Sequence, residues 1–196
     1  MTEPVLFVFA KAPVFGRTKT RLAAHTGIVH AKRLYRMMVA RVLRRVSDPR
    51  WRTILAVSPA SAMGQVPDWD GFAQVAQVTG SLSPRLAACF ARKGPTIIIG
   101  TDSPQIRSQD IADALKALKS CQVVFGPAKD GGFWLIGANG PLPETVFENV
   151  SWSTEHTLKD VVANVEGRVA TLRTLTDIDE IMDLRAYRRL NPRFGN

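Results

Sequence analysis

Short apolar runs alternate along the chain with longer stretches of helical periodicity. The first run follows Pro4, and the full set covers residues 5–10, 53–58, 72–78, 96–100, 123–126 and 133–137. Continuous apolar runs of this length are typical of strands buried on both faces. Most of them end near Gly, Pro or Ser, which also favours strands. The pattern therefore predicts six strands.

Between these runs, apolar residues recur at spacings of three and four. Residues 31–46 are the clearest case, with apolar side chains on one side and cations on most of the other, as in an amphipathic helix. Ser83 followed by Pro84 predicts a helix start with Ser83 as its cap, and Thr176 with Asp179 resembles a capping box. Further helices are predicted over residues 83–91, 108–118, 153–165 and 176–190.

Alternating strands and helices predict right-handed crossovers and a mainly parallel sheet covered by helices on both faces. One connection differs, because only six residues join the runs 123–126 and 133–137, too few for a crossover. That pair is expected to be antiparallel, which makes the sheet mixed. No repeat or linker divides the chain, so the predicted fold class is a three-layer α/β/α sandwich in a single domain over residues 1–196.

The composition excludes several classes of protein. With 196 residues, 45% of them hydrophobic and 22% charged, the chain can bury a substantial core and is not disordered. Cys89 and Cys121 lie far apart with no Cys/His cluster around them, which argues against a disulfide scaffold or a zinc site and favours buried thiols. Residues 5–10 are too few to span a membrane and lack the flanks of a targeting segment, so we expect a cytoplasmic protein.

Positive charge is concentrated near the N-terminus. The formal net charge is +9, and twelve of the 26 Lys and Arg residues lie between Lys11 and Arg52, where Asp48 is the only acid. One group of these cations lies in the loop after the first predicted strand, and most of the others lie on the helix 31–46 and its exit. Such a run indicates either an acidic ligand or a solvated helix face.

The first candidate site is this loop, residues 11–21. Ligands of open α/β sheets bind at the carboxyl ends of the strands, and the loop lies at such an end. It combines a Pro and a Gly with the four cations Lys11, Arg17, Lys19 and Arg21, a composition that can cradle phosphates. The spacing is neither that of a Walker A motif nor GxGxxG, and a solvated basic loop is the alternative.

Two further segments present a carboxylate at the same predicted edge. Asp102 follows the apolar run 96–100 and is placed to bind Mg²⁺, although it could instead begin a turn with Ser-Pro. Asp130, Gly131 and Gly132 form a hairpin-turn signal, but the two glycines also allow a substrate to approach the backbone. Two carboxylates facing a basic loop are a reasonable arrangement for a metal-nucleotide site.

Other candidates are weaker. His25, His30 and His156 show no metal-ligand spacing. Asp177 and Asp179 are expected to begin the last helix, with one of them as a further candidate for the metal.

Four motifs together resemble those of a bacterial family of uncharacterised glycosyltransferase-A-like proteins, whose members are provisionally labelled nucleotide-diphospho-sugar transferases. They are K-A-P-x-x-G-x-x-K-T-R-L at residues 11–22, G-T-D-S-P at 100–104, G-P-A-x-D-G-G-F-W-L-I-G at 126–137 and S-W-S-T at 151–154. The resemblance spans nearly the whole chain. It extends more distantly to the molybdenum-cofactor and 2-phospholactate guanylyltransferases.

The resemblance implies a GT-A, or nucleotide-diphospho-sugar transferase, fold with a metal-nucleotide site. By this analogy Asp102 and Asp179 would bind Mg²⁺ or Mn²⁺, and Lys19 and Asp130 would be catalytic. Asp130 would contact the acceptor or a second metal position. The implied nucleotide-binding residues are Ala10, Lys11, Pro13, Gly16, Arg17, Lys19, Arg21 and Arg85. The implied acceptor-binding residues are Asp130, Gly131, Gly132 and Trp152.

The sequence departs from the family pattern in two places. Phe15 stands where a second Pro is usual. Ser81 and Pro84 replace two acids of a G-D-L-G-E-R-L motif, although Arg85 of that motif is kept. If those acids contact the acceptor in relatives, the acceptor or the activity differs here.

The leading hypothesis is a divalent-metal-dependent transferase that uses a nucleotide-sugar or a nucleoside triphosphate, with the metal and Lys19 stabilising negative charge on phosphate. Glycosyl transfer and nucleotidyl transfer both stay open, as does the acceptor. One alternative is a non-catalytic nucleotide-binding module. Another is nucleic-acid binding through the helix 31–46, against which the chain shows no recognised nucleic-acid motif.

Overall fold

A computed structural model describes residues 2–13 and 19–194. These residues contain one seven-stranded sheet. Its strands are β1 (Val5–Lys11), β2 (Arg52–Ser58), β3 (Ala73–Ala76), β4 (Pro95–Ile99), β5 (Val123–Pro127), β6 (Phe133–Asn139) and β7 (Val169–Thr171). The spatial order is β3-β2-β1-β4-β6-β5-β7.

The sheet is mixed, as predicted. β1 pairs in parallel with β2 and β4, β2 with β3, and β5 with β7. β6 runs antiparallel to both of its neighbours, β4 and β5. All six predicted strands are confirmed, and the antiparallel pair is the one with the short connection. β7 was not predicted, because three residues are too few to show a period.

Six α-helices cover the described part of the sheet and its edges. They are α1 (Thr20–Thr26), α2 (Ile28–Val46), α3 (Leu82–Phe90), α4 (Ser108–Ala117), α5 (Thr157–Ala163) and α6 (Ile181–Leu190). Three short 3₁₀ turns lie at Ala60–Ala62, Pro67–Trp69 and Glu144–Phe147.

The sheet separates two apolar layers. Along β1, Leu6 and Val8 pack in one cluster with α2 and α4, whereas Val5 and Phe7 pack in another with α3 and α5. Burial of each such side chain contributes about 1.5–3 kcal/mol relative to an exposed one. The two clusters thus hold helices on both faces, and the three-layer α/β/α prediction is confirmed.

A third apolar cluster ties α1 and α6 to α2. Leu22 of α1 packs with Leu34 and Met38 of α2 and with Leu184 of α6, and Ile178 completes the cluster. Because Leu22 lies three residues after Lys19 and Ile178 directly precedes Asp179, this packing brings the ends of two distant segments to the same place.

Three predicted helix starts are wrong. α3 begins at Leu82, because the Ser83 hydroxyl donates to the carbonyl of Phe147 at 2.8 Å instead of capping a helix. α5 begins at Thr157, since Ser153 has a left-handed backbone with φ 62°.

The start of α6 is also displaced from the prediction. Thr176 and Asp179 form no capping box, because this segment is extended and the Ile178 N–H donates to the Asp102 carbonyl at 2.9 Å. The helix starts at Ile181, and the Asp183 carboxylate accepts from the Glu180 N–H at 2.9 Å.

Both cysteines are free thiols, and they are half-buried where the sequence predicted buried ones. Within residues 2–13 and 19–194, no helix combines the length and the apolar character needed to cross a membrane.

Candidate functional site

The site lies where the strand order reverses direction. From β1 the chain moves to β2 and β3 on one side and then returns to β4 on the other side of β1. Crevices outside such switch points are where open α/β sheets bind ligands. Lys11 ends β1, and Thr101 and Asp102 follow β4, so these residues lie side by side at the carboxyl edge.

A cleft of about 440 Å³ opens at this edge. Six of the predicted site residues line it: Lys11, Lys19, Arg21, Asp102, Asp130 and Asp179. Five further residues line it that were not named individually as site residues: Phe9, Thr20, Tyr35, Thr101 and Ser153. Thr20, Thr101 and Ser153 lie within the predicted loop and the quoted motifs. Gly16 and Arg17, also predicted, lie outside the described residues.

Lys19 is the centre of the site. Its Nζ lies 2.5 Å from Oδ1 of Asp102 and 2.5 Å from Oδ1 of Asp179. The Lys19 side chain is only 5% exposed, whereas both carboxylates are 45% exposed. One buried ammonium therefore bridges two carboxylates whose other faces are open to the cleft.

The charge of Lys19 is stabilised by its partners. Burial alone would lower the pKa of its ammonium, but the charges of Asp102 and Asp179 and the hydrogen bonds to them outweigh burial, so the pKa is raised. Lys19 is therefore protonated at neutral pH. Its backbone has the left-handed φ of 51° at the residue that precedes α1.

Asp179 reaches the site through an extended segment that follows β7. Leu175 forms an isolated parallel bridge with Ala128, beyond the end of β5. Three residues later, the Ile178 N–H donates to the Asp102 carbonyl at 2.9 Å. The backbone of this segment thereby sets Asp179 beside Asp102.

Asp177 lies in the same segment and turns inward. Its carboxylate accepts a short hydrogen bond from the Ser103 hydroxyl. Burial, together with the charges of Asp102, Asp130 and Asp179, raises its pKa to about 6 against the opposing effect of the Ser103 bond.

Tyr35 lines the cleft and holds the end of β1 through hydrogen bonds. Its hydroxyl donates to the Lys11 carbonyl at 2.7 Å and accepts from the Lys11 N–H at 3.0 Å. Burial raises the pKa of Tyr35, and hydrogen bonds with Thr101 and Lys11 only partly oppose this. In the sequence, Tyr35 belongs to the apolar side of the predicted helix 31–46. Its hydroxyl among aliphatic residues was the one signal of a polar partner.

Several other predicted residues lie away from the cleft. Arg85 is half-buried and its Nη1 donates to Oε1 of Gln77 at 3.4 Å. Ala10 is buried within β1, and Pro13 lines a neighbouring groove with Lys32. Nucleotide contact by these residues stays a prediction.

The predicted acceptor residues beside Asp130 are held by local contacts. Gly131 has φ 87° and approaches the Glu155 backbone so closely that a Cβ would overlap it. The Gly132 N–H donates to Oδ1 of Asp130 at 2.9 Å, as in a tight turn. This geometry alone accounts for Gly131, and the Asp130 turn agrees with the hairpin-turn alternative.

Trp152 likewise has a local packing role. Its Nε1 donates to the Ser83 hydroxyl at 2.9 Å, and its ring meets that of Phe133 edge to face at 6.3 Å. It does not line the cleft described above.

The donors of the site suit a hard cation. Within the described chain, no three His, Cys, Asp or Glu side chains form a group that could hold a metal ion. Asp102 and Asp179 nevertheless converge on one cationic atom, the Nζ of Lys19. Mg²⁺ usually takes one or two carboxylates and completes its shell with water and substrate phosphates, so two acids fit it.

Several cations of α2 form hydrogen bonds to other parts of the fold. Arg36 forms two hydrogen bonds to Asp68, at 2.9 and 2.8 Å. Arg45 donates to the Pro104 carbonyl at 2.9 Å, and Arg41 donates to Oδ1 of Asn191 at 3.0 Å. These contacts explain cations that the sequence left unexplained.

A family model matches residues 42–154, and the family is described as uncharacterized proteins conserved in bacteria, DUF2064. The matched segment contains Asp102 and Asp130. None of the curated proteins matches the chain significantly.

Solved structures show the same fold. A protein of Desulfovibrio desulfuricans G20, provisionally assigned as a nucleotide-diphospho-sugar transferase, superposes with a TM-score of 0.87 at 25% identity, over 98% of this chain and 89% of that one. Rv0371c of Mycobacterium tuberculosis H37Rv, in a complex with manganese, gives 0.55 at 18% identity, over 94% and 97%. The 4-diphosphocytidyl-2C-methyl-D-erythritol synthase of Anaerococcus prevotii gives 0.64 at 9% identity, over 97% and 99%. The predicted nucleotide-diphospho-sugar transferase fold is thereby confirmed.

Proposed function

The chain belongs to DUF2064, a family of uncharacterized proteins conserved in bacteria, and from that premise we propose that it is a divalent-metal-dependent transferase acting on a nucleoside triphosphate or a nucleotide-sugar. Two of the similar structures carry transferase or synthase names, and a third was solved with manganese. These likenesses support the class of reaction, and the residues of this chain support the chemistry.

The observation that carries the proposal is the convergence of Lys19, Asp102 and Asp179 in the cleft at the sheet's switch point. Transfer at a phosphate requires negative charge to be neutralised at fixed positions. A pair of half-exposed carboxylates with cations around them provides places for both a metal and a phosphate chain.

Each residue takes a role that follows from its position. Asp102 and Asp179 hold the divalent cation, which when bound neutralises charge on the phosphates. Lys11 and Arg21, which line the same cleft, bind the phosphates together with Lys19. Asp130 is exposed at its rim, where an acceptor group can reach its carboxylate.

The loop that follows β1, residues 11–21, completes the nucleotide site in this proposal. Ala10 precedes it, and Pro13, Gly16 and Arg17 lie within it. Backbone N–H groups and cations at such a position bind phosphate oxygens.

Metal-dependent nucleotide binding tests the proposal. The protein is titrated with each of the four common NTPs, UDP-glucose and GDP-mannose, with Mn²⁺ or with EDTA. At least one nucleotide should bind about tenfold or more tightly with Mn²⁺, and Asp102→Asn should remove that gain. Asp113→Asn is the matched control, because Asp113 is exposed on α4 and makes the same change of charge outside the cleft. Metal-independent binding that Asp102→Asn leaves unchanged would overturn the proposal.

The products distinguish the two kinds of transfer. Nucleotidyl transfer from an NTP releases pyrophosphate, whereas glycosyl transfer from a nucleotide-sugar releases a nucleoside diphosphate. A screen of acceptors that follows both products therefore assigns the reaction.

A non-catalytic nucleotide-binding module is the second candidate, favoured by the loss of acids at Ser81 and Pro84. Ser81 is exposed at the start of α3 and lies outside the cleft lining. This candidate predicts affinity without turnover across the same screen, and any clear turnover dismisses it.

A further inference from the structure

The free protein carries its own cation between the two acids of the site. The Lys19 ammonium donates to Oδ1 of Asp179 at 2.5 Å and lies equally close to Oδ1 of Asp102. With 5% of its side chain exposed, Lys19 is shielded from water while it makes these contacts. The pair of carboxylates is thus neutralised in part by a tethered side chain.

A divalent cation bound to these oxygen atoms would compete with the ammonium for them. Each Oδ1 already accepts a charge-assisted hydrogen bond from Nζ, and two cations at that distance would repel each other strongly in a partly buried site. A metal that uses both oxygens is therefore favoured by the departure of Lys19.

The phosphate side of the cleft offers the displaced ammonium a second partner. Lys19 lines the same cleft as Lys11 and Arg21. A phosphate chain held by those two residues would therefore lie next to Lys19. A bound nucleotide attracts the ammonium away from the acids, and a bound metal repels it in the same direction. Each ligand then favours the other, as reciprocal coupling requires.

We propose that Lys19 is an exchangeable counter-ion that occupies the Asp102–Asp179 pair in the free protein and gives way to the divalent cation, so that metal and nucleotide bind as a coupled pair. This inference rests on the proposed function, since it takes those two acids as the metal ligands. Its consequence is that the free wild-type protein binds the metal weakly and the nucleotide recruits it.

Binding of Mn²⁺ alone tests the inference. The full chain is titrated without nucleotide near neutral pH, and free Mn²⁺ is followed by its electron paramagnetic resonance signal. Lys19→Met should bind Mn²⁺ about tenfold or more tightly than wild type. Lys19→Arg, which keeps a cation at the pair, should stay close to wild type.

Arg21→Met is the matched control for net charge. Arg21 lines the same cleft but lies 3.9 Å from Glu180, and its side chain is 76% exposed. It should change the affinity by only about twofold, because exposed charges are screened. An equal gain in Arg21→Met and Lys19→Met would mean a general effect of charge, and it would overturn the inference.

The remaining outcomes separate this inference from the proposed function. If wild type already binds Mn²⁺ as tightly as Lys19→Met, and Asp102→Asn abolishes both, the metal site stands and the counter-ion role is wrong. If neither protein binds Mn²⁺, with or without nucleotide, the proposed metal site itself is wrong. Thermal unfolding checks each variant, and Lys19→Gln replaces Lys19→Met if the latter does not fold.

Discussion

Ionisation of Asp177 opposes folding at neutral pH, and replacing it should therefore stabilise the protein. Its carboxylate lies inward against the Ser103 hydroxyl, with the charges of Asp102, Asp130 and Asp179 nearby. Burial and these charges raise its pKa from 3.8 to about 6. Asp177→Asn keeps an oxygen acceptor for Ser103 and removes the titrating group.

The size of the effect follows from linkage. In the unfolded chain Asp177 releases its proton near pH 3.8, whereas in the folded protein it does so near pH 6. The folded state holds more protons between these values, so wild-type stability falls as pH rises through this window. Above this window, ionisation of Asp177 lowers the free energy of unfolding by about 3 kcal/mol, because each unit of pKa difference corresponds to about 1.4 kcal/mol. Asp177→Asn also weakens the hydrogen bond from Ser103, which lowers the free energy of unfolding by about 1 kcal/mol. The net stabilisation is therefore about 2 kcal/mol.

Urea unfolding in EDTA, followed by tryptophan fluorescence, measures this difference. Asp177→Asn should be about 2 kcal/mol more stable than wild type near pH 7 and about equal to it near pH 4. Asp130→Asn is the control, since Asp130 belongs to the same group of acids but is exposed. A stability difference for Asp177→Asn that is the same at both pH values would refute this reasoning.

Two further substitutions test the packing that supports the site. Gly126→Ala should lower stability by about 1–3 kcal/mol in urea unfolding, because the added Cβ would overlap the Trp134 ring, whereas Gly71→Ala, in open space, should be near neutral. Unchanged stability in Gly126→Ala would contradict this packing. Arg173→Met removes two hydrogen bonds of 2.7 and 2.8 Å from the buried Asp110 carboxylate and should cost about 1–2 kcal/mol, a Tm lower by roughly 2–8 °C by calorimetry. A Tm equal to that of wild type would show that the pair adds nothing.

The strands were predictable because their signal is local. Continuous apolar runs such as residues 5–10 are long enough to show burial on both faces, and the short connection before β6 restricts its direction. β7 has three residues and lies at the sheet edge beside β5, so its position depends on pairing that no local pattern encodes.

Helix starts depended on contacts that the sequence does not show. Ser83 and Ser153 are good capping residues by type, but one hydroxyl donates to the distant Phe147 carbonyl and the other residue adopts a left-handed backbone. Thr176 was misassigned for a similar reason, because the bond from Ile178 to Asp102 keeps that segment extended.

The candidate site was predictable as a set of positions, but not as a geometry. Lys19 and Asp102 were found because each follows a predicted strand. Asp179 was one of two candidates at the predicted start of the last helix, and the family resemblance selected it over Asp177. Its contact with Lys19 spans 160 positions of sequence. That Lys19 bridges both acids follows from the packing of α1 and α6 against α2 and from the backbone bond of Ile178 to Asp102.

A crystal structure with Mn²⁺ and the nucleotide that binds best would show whether Asp102 and Asp179 hold the metal and whether Lys19 has left them. We expect an anomalous scattering peak between the carboxylates of Asp102 and Asp179, phosphates reaching Lys11 and Arg21, and the Lys19 ammonium moved from the acids to the phosphates. A nucleotide bound elsewhere, or one bound in the cleft with Lys19 still bridging the two acids and no peak between them, would contradict this expectation.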